Sequence, residues 1–78
     1  MPNGLKNISL RLFREYLYFK GLKPIREKGG HEVWSRKDLF RPIIIQSHID
    51  PIPEFIIRSN LRTLSATTDD FYEFIKNK

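Results

Sequence analysis

The chain has no cysteine, which excludes disulfides and thiolate metal sites and agrees with a reducing compartment. Long apolar runs are also missing. The longest purely aliphatic stretch is Ile43-Ile44-Ile45, far short of the ~20 residues that span a bilayer. The N-terminus carries no extended apolar signal core, so a cytoplasmic protein without a membrane segment is expected. No G-x-x-x-x-G-K phosphate loop occurs. The two histidines, His31 and His48, lie seventeen residues apart with no thiol between them, a poor ligand spacing, so neither metal nor cofactor is expected. Ser35 and Ser47 have no paired base in the sequence. Asp69-Asp70 reads as a helix start rather than a carboxylate pair. At 78 residues there is room for one small domain. A chain of this size buries about 60% of its unfolded surface, enough for a core but not for a core and a deep cofactor cavity.

Positive charge is plentiful. Fourteen Lys/Arg against nine Asp/Glu give a net charge of +5. Residues 1–41 hold ten Lys/Arg and four Asp/Glu, whereas residues 42–78 hold four and five. Such asymmetry describes either an anion-binding half or a well-solvated basic surface.

Hydrophobic spacing divides the chain into elements. Residues 1–6 read as a loose start around Pro2 and Asn3-Gly4. A helix capped by Asn7 or Ser9 should run to about Lys20, with Leu10, Phe13 and Leu17 beside Leu12, Tyr16 and Phe19, and Gly21 ending it. Three strands follow, over 22–28, 31–37 and 41–47, the first two joined by Gly29-Gly30. Pro53 suits the first position of a second helix that ends near Leu64, with Ile57, Leu61 and Leu64 on one stripe. A short last helix should start at Thr67 or Thr68 and attach through Phe71, Phe74 and Ile75. The fold class expected is α+β: an α-β-β-β-α order with a three-stranded antiparallel meander, helices on one face, and a short terminal helix.

Strand alternation then sorts the faces. If Ile25 and Val33 point at the helices, Arg26, Lys28, Glu32, Trp34 and Arg36 point away, and Trp34 lies on an open basic face. A parity shift makes Trp34 core instead.

The turn Gly29-Gly30-His31 is the most informative feature. Two glycines let the backbone bend sharply and approach a ligand closely. Imidazole is the side chain whose charge ordinarily changes near neutral pH. His31 therefore reads either as a general acid/base acting on an RNA phosphodiester, with Lys28, Arg26 and Arg36 supplying positive charge, or as a histidine that merely occupies a turn. His48, just past the third strand, either assists His31 or caps the sheet end.

The ordered set of motifs resembles the HicA toxins, also called the YcfA-like family, of bacterial and archaeal toxin–antitoxin modules. The resemblance covers residues 9–76. It is carried by the helix ending in Gly21-Leu22, the basic strand leading to Gly29-Gly30-His31, and the aromatic strand with Val33-Trp34. It continues through Gln46-Ser47-His48, Ile56-Ile57-Arg58-Ser59-Asn60-Leu61, and the acidic-Phe segment from Thr68 to Phe74. Gly30 stands where the family has Ser or Thr, Ser47 where it usually has proline, and 50–53 is richer in proline than its usual counterpart. The resemblance implies a fold similar to a double-stranded-RNA-binding domain. It also implies a metal-independent endoribonuclease that cleaves mRNA with His31, and a HicB-type antitoxin that neutralises it.

Overall fold

The computed structural model describes residues 5–78. The order is α1 Leu10–Phe19, β1 Lys23–Lys28, β2 His31–Ser35, β3 Ile43–Gln46, α2 Glu54–Thr63 and α3 Thr68–Lys76. The three strands form one antiparallel sheet in the order β1-β2-β3. This is the α-β-β-β-α plan of a double-stranded-RNA-binding domain with a short C-terminal helix added. Pro2 and Asn3-Gly4 lie outside the described residues. Leu5 is fully buried, so the body of the domain takes in part of the stretch expected to be loose.

Local chemistry sets the helix ends. Ser9, not Asn7, caps α1: its Oγ accepts from the Leu12 N–H at 3.0 Å. A second cap comes from far along the chain, where Asp50 Oδ1 accepts from the Leu10 N–H at 3.1 Å. The helix closes in a Schellman turn. Gly21 adopts φ +87°, its N–H reaches Tyr18 O at 3.0 Å, and Leu22 N–H reaches Leu17 O at 2.9 Å. Pro53 is the N-cap of α2 with Glu54 first in the helix, so the helix begins one residue later than expected. Pro53 has an extended ψ of 143°, which an N-cap takes and a first helical residue does not. Thr67 caps α3 by accepting from the Asp70 N–H.

The core lies between the helices and one sheet face. Phe13, Tyr16 and Leu17 of α1 meet Ile57 and Leu61 of α2, Phe71 of α3, and Trp34, Ile43 and Ile45 of the sheet. Each fully buried large side chain contributes roughly 1.5–3 kcal/mol. Tyr16 joins α1 to α3: its ring stands edge-on to Phe71 and Phe74, and its hydroxyl donates to Asp70 Oδ2 at 2.7 Å. Lys20 Nζ holds the same carboxylate at 3.1 Å.

The sheet corrects the open-face expectation. The register between β1 and β2 shifts between Pro24 and Arg26, a bulge at Ile25. Beyond it Arg26 opposes Val33, Lys28 opposes His31, and Glu27 opposes Glu32. Directly opposed residues share a face. One face therefore carries Arg26, Lys28, His31, Val33, Ile44 and Gln46. The other carries Glu27, Glu32, Trp34, Ile43 and Ile45. Trp34 is core, at 2% exposure, while Ile25 sits out at the bulge. The indole is inside because its one polar atom is satisfied there: Nε1 donates to Glu32 Oε1 at 3.0 Å. Glu32 is in turn clamped by the Arg14 guanidinium of α1, through Nε at 3.1 Å and through a contact from Nη2. A buried carboxylate needs such a counterion. The Arg14 and Trp34 hydrogen bonds hold the Glu32 carboxyl below the usual range, although its burial acts in the opposite sense. Tyr18 covers the indole edge-on, with ring centroids 4.9 Å apart.

Candidate nucleic-acid interface

The β1–β2 turn fixes the site. Gly29 and Gly30 have φ +59° and +81°, the pair of positive values that a two-residue type I′ connection requires. The turn sets Lys28 and His31 side by side as a cross-strand pair, both exposed, with Arg26 on the same face.

The end of β3 braces the turn from behind. Ser47 N–H donates to the Gly30 carbonyl at 2.8 Å. Ser47 Oγ lies 3.1 Å from that oxygen and 3.1 Å from Glu27 Oε2. His48 then folds over Gly30. A Cβ placed on Gly30 would lie 2.9 Å from His48 Nδ1 and 3.3 Å from Cε1, whereas one on Gly29 would meet nothing within 4 Å. The second glycine is thus favoured twice, by its backbone angle and by the ring above it. Both imidazoles, distant in sequence, belong to one turn. Ser47 supplies a backbone donor that a proline at this position would lack.

Arg36 is placed elsewhere. Five residues of extended chain separate it from His31, about 17 Å. Its guanidinium is bound to Asp38 and to the Lys20 carbonyl at the end of α1. The Asp38 carboxyl is held low chiefly by its hydrogen bond with that guanidinium. The structure therefore brings together His31, Lys28, Gly29, Gly30, Arg26 and His48, and leaves Arg36 out. Among the described residues no group of three or more His, Cys, Asp or Glu side chains could hold a metal ion.

Sequence reasoning missed a groove beside this turn. About 690 Å³ of space lies between β3 and α2, running from His31 and Gln46 past Ile44, Phe55 and Ile56 to Arg41. Phe55 is 71% exposed. The signal was present: Phe55 lies two residues before Ile57, about 200° around the helix from the buried stripe, so α2 is apolar on a second side.

Chemically, the hairpin can do two things. Two cations on one sheet face can hold a phosphodiester, and exposed imidazoles beside them can exchange protons with it. No family model, curated protein or solved structure matches the chain. Among the described residues no helix is long and apolar enough to cross a membrane.

Proposed function

We propose that this chain is an RNA-binding domain of the HicA type, which holds the phosphodiester backbone on the sheet face carrying Arg26, Lys28 and His31. The observation that carries this reading is the cross-strand pair of Lys28 and His31 at a two-glycine turn, exposed and braced from behind by Ser47. The basic N-terminal half and the motif resemblance support it. Fluorescence anisotropy of a labelled RNA oligonucleotide tests it. Affinity is expected to fall steeply with salt, and Lys28→Ala should reduce the logarithmic salt slope by about 0.7, the share of one phosphate on a single strand. Salt-insensitive or undetectable binding would refute it.

A second reading extends the first and is favoured by the two imidazoles at one turn. Here the domain is the toxin of a type II toxin–antitoxin module, an endoribonuclease acting on mRNA in the cytoplasm and blocked by a HicB-type antitoxin. His31 takes the proton of an RNA 2′-hydroxyl. The 2′-oxygen attacks phosphorus, the bond from phosphorus to the 5′-oxygen breaks, and a protonated imidazole, with His48 the nearest candidate, supplies that oxygen's proton. A 2′,3′-cyclic phosphate and a 5′-hydroxyl result. DNA lacks the attacking hydroxyl and should survive. Cleavage of RNA by the wild type, continued in EDTA and lost in His31→Ala, supports this reading. Equal cleavage by both proteins removes His31 from the mechanism, and salt-sensitive binding without any cleavage leaves the binding domain alone.

A further inference from the structure

The turn between β2 and β3 presents an aromatic ring that the core does not use. Phe40 is as exposed as in an extended peptide, at 106%. It is not on a loose loop. Leu39 N–H closes a turn onto Arg36 O at 3.0 Å, and the Arg36 side chain holds Asp38 Oδ1 at 2.6 Å and also the end of α1. Leu39 packs against the core and anchors the turn beside Phe40. Phe40 lies at the edge of a groove of about 760 Å³ whose other lining includes Arg41, Arg62, Ser59 and Thr63. Asp38, the acidic residue there, is already paired with Arg36. Arg41, Ser59 and Thr63 also line the β3–α2 groove that reaches His31. The groove at Phe40 therefore adjoins the one that reaches the hairpin. Gln46 and Arg41 are five residues apart, mostly along β3, so at most about 17 Å separates the hairpin end from Arg41, room for a few nucleotides.

We propose that Phe40 is a base-stacking platform for single-stranded RNA, with Arg41 and Arg62 contacting the adjacent phosphates. The chemistry favours nucleic acid over protein. A protein-docking patch needs contiguous apolar area; that of Ile44, Phe55 and Ile56 lies in the neighbouring groove, whereas the groove at Phe40 is lined mostly by arginine and hydroxyl side chains. One aromatic face flanked by cations is the arrangement that binds an unpaired base and its backbone. The proposal rests on the RNA-binding reading above and adds a contact distant from the hairpin.

The test is anisotropy with a single-stranded RNA oligonucleotide of mixed sequence and a duplex of the same sequence. Wild type, Phe40→Ala, Phe40→Trp, Arg62→Ala and Lys28→Ala are compared. Phe40 packs on nothing, so Phe40→Ala should fold normally, with circular dichroism as the check. It is expected to lose roughly ten-fold or more in single-strand affinity with the salt slope unchanged, stacking being worth about 1–3 kcal/mol per base. Phe40→Trp should retain affinity and show indole quenching on RNA addition beyond the wild-type baseline. Arg62→Ala should lower the slope by about 0.7. Normal binding by Phe40→Ala beside weakened Lys28→Ala overturns the platform and leaves the RNA reading intact. Equal losses for duplex and single strand also overturn it. Oligomerisation of wild type but not Phe40→Ala without RNA, together with unaltered RNA binding, makes Phe40 a protein contact instead. If wild type shows no salt-sensitive RNA binding, the underlying reading falls, and the platform with it.

Discussion

The coupling between Gly30 and His48 can be measured by substitution. Alanine at either turn glycine must adopt a left-handed backbone, which costs an L-residue about 1–2 kcal/mol. At Gly29, φ is +59° and the added methyl meets open space, so Gly29→Ala should lose about 1 kcal/mol. At Gly30 the same backbone cost applies, and the methyl also falls 2.9 Å from His48 Nδ1. The ring is exposed and can swing aside, so the extra cost is that of leaving its rotamer, about 1 kcal/mol. Gly30→Ala should therefore lose about 2–3 kcal/mol. For a domain this small each 1 kcal/mol moves Tm by roughly 4–8 °C, so two separate melting curves resolve the difference. The decisive measurement is the double-mutant cycle. In a His48→Ala background the excess cost at Gly30 should vanish, leaving Gly30→Ala close to Gly29→Ala. If Gly30→Ala is no worse than Gly29→Ala, or if its cost is unchanged without His48, the ring does not rest on that turn, and the two imidazoles do not share one site.

Other expectations follow from the same contacts. Arg14→Met strands the Glu32 carboxylate inside the fold and should cost about 2–3 kcal/mol by urea titration, less than a fully buried pair would because Arg14 is part-exposed. The Glu32 carboxyl lies below its ordinary range when folded, so its contribution is complete above about pH 4.3 and is lost as pH falls through the lower folded value. Arg14→Met should accordingly flatten the acid side of the stability profile, and an unchanged acid limb counts against the clamp. Burial, with the bond to Asp70, raises the Tyr16 phenol, so its contribution is present below about pH 10 and fades as pH climbs further. Tyr16→Phe should cost about 1 kcal/mol at neutral pH and show a shallower alkaline decline by thermal melting. Ser47→Pro deletes the N–H that holds the Gly30 carbonyl and should weaken both stability and RNA affinity more than Ser47→Ala. Indistinguishable affinities for those two variants would mean that the brace does not position the hairpin.

The elements themselves were legible because their signals are local. The stripe of Leu10, Phe13 and Leu17, the glycine at 21, and the β-branched run at 43–45 need no distant partner to be read. Gly29-Gly30 names its own turn, since few other dipeptides tolerate two positive φ values. His31 and Lys28 flank that turn, so their pairing could be read with it. Strand boundaries came out long: β2 ends at Ser35 and β3 begins at Ile43, because the intervening residues turn to let Arg36 reach the end of α1. The bulge at Ile25 was not legible. One extra residue reverses the face of every side chain beyond it, and nothing in Pro24-Ile25-Arg26 announces the shift.

By itself, then, the amino-acid order determined the secondary structure, the antiparallel meander and a glycine turn flanked by a lysine and an imidazole. These follow from backbone preference and short-range periodicity. Tertiary packing alone decided which residues surround that turn. It drew Trp34 and Glu32 inward against Arg14, where desolvation demands a counterion. It assigned Arg36 to the end of a helix and folded His48 over Gly30, contacts made between residues sixteen and eighteen places apart, which no local pattern encodes.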